Sequence, residues 1–153
     1  RDSLKSVNLL TTIKNIENSI KGLINKYEAT TVINVSKVHQ VKAVPAYIES
    51  IFLNLYTNAL KYSDPSRKPV LNITSIIKNK YILIEFNDNG QGIDLKRHGS
   101  KLFGMYKTFH KHKEAKGLGL FITINQIEAM KGTITVKSTP NVGTTFLLKL
   151  KKG

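Results

Sequence analysis

The spacing of apolar positions divides the chain into helical and strand-like stretches. The longest helical stretch runs from Tyr47 to Ser63. There Ile48, Ile51, Phe52, Leu55 and Ala59 recur at i, i+3, i+4 and i+7 and form one apolar face. Pro45 stands at its first turn, where a missing N–H costs little. Upstream, Ser6 to Leu9 predicts a short strand. Leu10 to Tyr27 predicts an amphipathic helix with Ile13, Ile16, Ile20, Leu23 and Ile24 on its stripe and Thr11 or Thr12 as its cap. Thr30 to Val35 is β-branched and reads as a strand. Ser36 to Ala43 reads as a connector or irregular strand.

Downstream, Asp64 to Pro69 is a turn-rich break. Val70 to Ile77 and Tyr81 to Asn87 form a hairpin about Lys78-Asn79-Lys80. Ile82, Ile84 and Phe86 alternate with Leu83 and Glu85, as in a central strand covered fully on one face and partly on the other. Asp94 to Lys116 has no clear period. It is basic and carries the apolar cluster Leu102, Phe103, Met105, Tyr106 and Phe109, the pattern of a functional lid or a disordered segment. Gly117 to Met130 predicts a helix with Phe121, Ile124, Ile127 and Met130 inward, stopped at Lys131-Gly132. Thr133 to Ser138 and Thr144 to Lys151 close the chain as a hairpin.

Composition adds bounds. The 153 residues, 41% hydrophobic and 22% charged, suit a single soluble domain with a sizeable core. The absence of cysteine excludes disulfides, thiolate zinc sites and cysteine nucleophiles. No apolar run approaches the roughly 18 residues of a membrane span, and no secretory signal is visible. The chain opens at Arg1 rather than Met, the expectation for a piece of a longer protein. The net charge of +14 raises nucleic acid, an anionic membrane or an acidic protein as partners. The lysines are scattered, however, and the densest runs, Lys107 to Lys116 and Lys149 to Lys152, lack aromatics at stacking spacing. Nucleic acid is therefore not expected. A nucleotide polyphosphate needs only a few of these charges.

Candidate chemistry is spread over four places. Asn54, Asn58, Lys61 and Tyr62 share a helix face beside the apolar one. Asn is a poor helix former, so the stripe is either a polar surface or a binding face. Carboxamide oxygens bind hard cations and an ammonium binds phosphate. Asp88 ends an apolar strand and precedes Gly90 and Gly92, a turn or a base pocket. A buried Asp there can accept a hydrogen bond from an exocyclic amino group, and glycines let backbone approach a planar base. Gly117-Leu118-Gly119 opens a helix, where free N–H groups suit phosphate. Gly143-Thr144-Thr145 enters the last strand. A P-loop is absent.

Taken in order, NLYTNALKYS, DNGQGI, LFGMYKTFH, GLGLFITINQIEAMKGTI and NVGTTF resemble the successive boxes of a sensor histidine kinase catalytic domain. That domain belongs to the GHKL ATPase superfamily. The likeness runs from about Ser6 to Leu150. It implies the Bergerat fold, an α/β two-layer sandwich with a mixed, mostly antiparallel sheet on about three helices. ATP and Mg²⁺ would lie between helices and a mobile lid. By this resemblance Asn58 is the Mg²⁺ ligand, Lys61 contacts the phosphates and Tyr62 flanks the nucleotide. Asp88 binds the adenine amino group, with Gly90, Gly92 and Ile93 at the base. Phe103 belongs to the lid, Gly117, Leu118 and Gly119 cover the phosphates, and Thr145 sits near the base pocket.

The resemblance further implies γ-phosphoryl transfer to a histidine on a separate dimerisation domain of the same parent. It implies a response regulator downstream, a homodimeric parent and a cytoplasmic location, the parent's membrane status being open. ATP-hydrolysing relatives commonly carry a glutamate at the place of Asn54. A carboxamide is a poor general base, so Asn54 points to a kinase. The other readings are a GHKL ATPase or anti-sigma-type serine kinase, and a degenerate nucleotide-binding module. His39, His98, His110 and His112 lack the context of a phosphoacceptor. The lid departs from the pattern, with Tyr106-Lys107-Thr108 where many relatives carry an arginine. Lys107, Lys111 or Lys116 would supply that contact.

Overall fold

Asn8 turns the chain from strand into helix. Its Oδ1 accepts the Thr11 N–H at 2.9 Å, so the cap is Asn8 rather than Thr11 or Thr12. Thr12 instead donates its hydroxyl to the Asn8 carbonyl at 2.9 Å. The computed structural model describes residues 3–93 and 120–153. In these, β1 (Lys5–Asn8) leads into α1 (Leu9–Ser19) and α2 (Lys21–Lys26), followed by β2 (Thr30–Asn34) and β3 (Gln40–Ala43). Then come α3 (Pro45–Lys61), β4 (Val70–Lys78) and β5 (Tyr81–Asp88), and finally α4 (Leu120–Ala129), β6 (Thr133–Thr139) and β7 (Gly143–Lys151).

The helix expected to Tyr27 is thus two helices, parted at Ile20 (φ −113°, ψ 22°). Ser19 donates its hydroxyl to the Ile16 carbonyl at 2.7 Å, a local bond that competes with helical continuation. The stretch read as connector or irregular strand contains a regular one. β3 pairs antiparallel with β1 in a two-stranded ribbon.

The main sheet has five strands in the order β2-β4-β5-β7-β6, with β2 parallel to β4 and the other pairs antiparallel. This is the mixed, mostly antiparallel sheet expected, with β5 at its centre. One face carries Leu71, Ile73, Ile82, Ile84, Phe86, Leu148 and Leu150, all buried. Against them pack α1, α3 and α4, the second layer of the sandwich. The apolar face of α3 is as predicted, with Tyr56 and Leu60 also buried. Tyr56 meets Phe86 edge-on at 5.0 Å and donates to Glu17 at 2.5 Å, locking α3 to β5 and α1.

On α4 the expected inward set needs one correction. Phe121 is 46% exposed, and Leu120 takes its place beside Ile124, Ile127 and Met130. Steps of three and three drift around a helix, whereas a step of four then three holds one face.

Candidate functional site: a nucleotide cleft between α3 and the β5 end

The end of β5 and the last turns of α3 face each other across a small, mostly apolar pocket. It is lined by Asn58, Ala59, Tyr62, Asp88, Gln91, Gly92, Ile93, Thr144 and Phe146. Five of the residues expected at a nucleotide, Asn58, Tyr62, Asp88, Gly92 and Ile93, therefore meet in one place although they span 36 positions, from 58 to 93.

Asp88 stands at the inward-facing register of β5, two residues beyond Phe86. Burial pushes its carboxyl above the ordinary range, while the backbone N–H groups of Gly90 and Thr144 draw it down. The Gly90 N–H donates to Asp88 Oδ1 at 2.8 Å. A Cβ on Gly90 would lie 2.7 Å from the Tyr62 carbonyl oxygen and 2.9 Å from Asp88 Oδ1, so a side chain would push this turn off α3. Gly92 has φ +74° and packs so closely on Thr139 that a Cβ would collide with its carbonyl oxygen. The glycines thus act mainly on the loop's path, which brings Asp88 and Ile93 to one pocket.

The loop is anchored from several sides. The Gln91 N–H donates to the Tyr62 carbonyl at 3.0 Å and the Gln91 carbonyl accepts from Asn141 N–H at 2.7 Å. Asn89 Oδ1 accepts the Val70 N–H at 2.8 Å, and its Nδ2 donates to the Lys68 carbonyl at 3.1 Å. Arg67 binds the largest set of partners. Its Nε donates to the Asn89 carbonyl at 2.7 Å and its Nη2 to those of Gly90 (2.9 Å) and Asn141 (2.8 Å). Its Nη1 meets Asp64 at 3.1 Å. One guanidinium thus ties the α3–β4 loop, the loop after β5 and the β6–β7 turn together. Sequence reasoning passed over Arg67 because it lies in a turn-rich break, outside any motif.

Other expected residues take different places. Thr145 points to the opposite face of the sheet, where its Oγ1 accepts from Asn87 Nδ2 at 2.7 Å. Thr144, 7% exposed, lines the pocket instead. The reason is strand alternation: Thr144 pairs with inward Asp88 and Thr145 with outward Asn87. Lys61 opens onto a neighbouring groove of about 650 Å³ that also holds Gln91 and Arg67, with its Nζ 5.3 Å from the Tyr62 ring centre. Asn54 lies one turn before Asn58 and accepts from Asn58 Nδ2 at 3.3 Å. Gln91, Ala59, Thr144 and Phe146 are pocket residues that the motifs did not single out. Phe103, Gly117, Leu118, Gly119 and the lid lysines Lys107, Lys111 and Lys116 lie outside the described residues, as do His98, His110 and His112. His39, far from the cleft in sequence, meets Ser75 Oγ at 2.8 Å.

Among the described residues no group of three or more His, Cys, Asp or Glu could hold a metal. No described helix is long and apolar enough to cross a membrane.

A helix layer on a mixed sheet, with a carboxylate and two glycines at the end of its central strand, defines a Bergerat-type nucleotide-binding domain. The comparisons agree. Residues 43–153 match the family of histidine kinase-, DNA gyrase B- and HSP90-like ATPases, and the chain belongs to it. It is 30% identical over 145 residues to the signal transduction histidine-protein kinase ArlS of Staphylococcus aureus, covering 93% of this chain and 32% of ArlS. The chain therefore spans about a third of that curated relative. Among solved structures, the catalytic domain of histidine kinase ThkA superposes with a TM-score of 0.77 at 20% identity, over 97% of this chain and 95% of that one. Full-length ShkA in complex with AMPPNP gives 0.78 at 18% identity, over 100% and 32%. The chain is homologous to the ATP-binding catalytic domains of sensor histidine kinases.

Proposed function

We propose that the cleft binds Mg²⁺-ATP, and that the chain is the catalytic domain of a two-component sensor kinase. Its chemistry is transfer of the γ-phosphoryl group to a histidine on a separate dimerisation domain of the same parent. The observation that carries the reading is Asp88, a half-buried carboxylate that lines one pocket with Asn58 and Tyr62. An adenine amino group is a donor that such a carboxylate accepts, and the flanking Ala59, Ile93 and Phe146 suit the faces of a flat base.

The donor set fits a cation that arrives on the nucleotide. Mg²⁺ keeps several waters and needs few protein ligands, and Asn58 offers one hard carboxamide oxygen at the cleft. When bound, the ion neutralises phosphate charge. Asn58 would hold it, Lys61 would meet the phosphates from the adjoining groove and Tyr62 would flank the ribose side. Gly90, Gly92 and Ile93 shape the base end. Phe103 and Gly117 to Gly119 are assigned to the lid and phosphate cover on the motif alone. Catalysis is then positioning and charge stabilisation. Asn54, lacking a carboxylate, leaves water without a strong base. The parent on this reading is a cytoplasmic-facing homodimer that passes phosphate to a response regulator.

Two measurements test this. Calorimetry with ATP and Mg²⁺ should detect binding that Asp88→Asn weakens. Supplying the parent's helical histidine domain should yield acid-labile phosphate, lost in Asn58→Ala. No ATP binding would sink the reading, and rapid phosphate release without transfer would favour an ATPase.

A further inference from the structure

A carboxamide has two ends of nearly equal size and opposite chemistry, and only its oxygen binds a cation. Asn58 alone has no preference. It is one end of a line of three hydrogen-bonded side chains that crosses from α4 to α3. Thr123, 1% exposed, lies inside the α3–α4 interface. Its Oγ1 accepts from Asn54 Nδ2 at 2.6 Å. Asn54 Oδ1 in turn accepts from Asn58 Nδ2 at 3.3 Å. Each amide thus turns its nitrogen toward Thr123 and its oxygen the other way.

The polarity follows from the hydroxyl. A threonine within a helix commonly donates its proton to the carbonyl one turn back. Thr12 and Thr57 do so here, to Asn8 and Leu53, each at 2.9 Å. A hydroxyl engaged in that way offers its oxygen as an acceptor, and Thr123 Oγ1 stands toward Asn54 as an acceptor, with Asn54 presenting its NH₂ at 2.6 Å. Were Asn54 reversed, its NH₂ would face the NH₂ of Asn58, donor against donor. Asn58 is therefore directed with its nitrogen to Asn54 and its oxygen to the cleft.

We propose that Thr123 is a positioning residue for the metal end of the site, acting through Asn54 to orient the Asn58 carboxamide. The proposal rests on the assignment of Asn58 as the Mg²⁺ ligand. It also gives Asn54 a task beyond the absence of a base. Its two-ended amide donates to the hydroxyl oxygen and accepts from Asn58; a carboxylate could keep the second bond but has no donor for the first.

The test is a Mg²⁺ titration of AMPPNP binding to the whole chain, with binding in EDTA measured alongside. Thr123→Val keeps shape and removes the acceptor. It should raise the Mg²⁺ concentration needed by about tenfold, as loss of an outer-shell partner does, and leave binding in EDTA unchanged. Thr123→Ser should restore the wild-type dependence. If Thr123→Val unsettles the core, Asn54→Leu cuts the same line from its partly exposed member and should give the same shift. Wild-type Mg²⁺ dependence in Thr123→Val or Asn54→Leu, with the dependence lost in Asn58→Ala, would overturn the relay and leave the metal assignment standing. Dependence retained in Asn58→Ala would overturn both.

Discussion

Arg67→Met removes the guanidinium that ties three loops beside the cleft while keeping much of the apolar stem. The wild-type residue makes three short hydrogen bonds to backbone carbonyls, at 2.7, 2.8 and 2.9 Å, and a fourth to Val142 at 3.4 Å. Bonds to a charged donor contribute about 1.5–3 kcal/mol each when buried. Here the side chain is 33% exposed, and carbonyls released by the substitution regain water. A discounted value of about 1 kcal/mol for each short bond is appropriate, or about 3 kcal/mol in all. The Asp64 ion pair adds little, because surface ion pairs are screened by solvent. For a domain of this size that loss corresponds to a fall of about 6–12 °C in melting temperature. Urea unfolding gives the free energy and a thermal scan gives the shift. ATP affinity should fall too, because Asn89 and Gly90 form the turn that follows Asp88.

Arg67→Lys separates geometry from charge. Lysine offers a compact ammonium in place of a planar fork, so it should reach one carbonyl group at a time and recover less than half of the loss. Stability within about 0.5 kcal/mol of wild type in Arg67→Met, the range of ordinary surface changes, would refute the clamp. Full recovery in Arg67→Lys would show that charge alone matters.

Four further outcomes are expected. Burial raises the Asp88 carboxyl, and adenine recognition needs its ionised form, so ATP affinity should fall on acidification at a higher pH than an ordinary aspartate would dictate; calorimetry across the acidic range should find that pH dependence lost in Asp88→Asn. The same raised pKa means that the folded chain holds this proton more tightly than the unfolded one, so the contribution of Asp88 to stability is present at low pH and lost as pH rises through the folded value. Gly92→Ala places a methyl group at φ +74° against the Thr139 carbonyl and should cost more than about 2 kcal/mol in urea unfolding, since strain and clash add; an unchanged midpoint would refute the close approach. Asn54→Glu supplies a carboxylate one turn before Asn58 and should raise ATP hydrolysis in a phosphate-release assay, whereas a rate equal to wild type would remove the argument from Asn54 as a weak base.

The hairpin β4–β5, the long helix α3 and its buried face were legible because their patterns are long enough to repeat. Tyr81 to Asp88 alternates over eight residues, and Pro45 to Lys61 covers more than four turns. β3, with four residues, offers only Val41 and Ala43 as an inward pair, too few to stand out from a connector. The break at Ile20 depends on Ser19 bonding to its own helix, which apolar spacing does not encode. At the site, Arg67 lies between motifs, whereas Ala59, Gln91, Thr144 and Phe146 lie inside them and carry no chemistry that marks them out in sequence. Gln91 sits within the glycine loop, where its backbone joins Tyr62 and Asn141 and its side-chain amide donates to the Ser63 carbonyl at 3.1 Å. Thr145 is the residue that the resemblance puts near the base pocket, and in sequence nothing separates it from Thr144. Only the register opposite Asp88 separates the inward from the outward threonine.

Asn54 carries more in the folded chain than its place in the motif suggests. From sequence, its meaning lay in what it lacks, a carboxylate to activate water. In the folded chain the same side chain bridges a buried hydroxyl on α4 and a carboxamide at the cleft, with its donor on one and its acceptor on the other. A glutamate would serve hydrolysis and could still accept from Asn58, but it would meet the Thr123 oxygen with a second acceptor unless that hydroxyl turned its proton around. Poor general basicity and two-ended hydrogen bonding are both properties of an amide. The choice that disfavours loss of phosphate to water is therefore also one that holds the neighbouring amide in a defined sense. On the proposed function, weak basicity and a donor to the buried Thr123 oxygen then meet in one side chain at position 54, and that donor is what sets its hydrogen bonding apart from a carboxylate's.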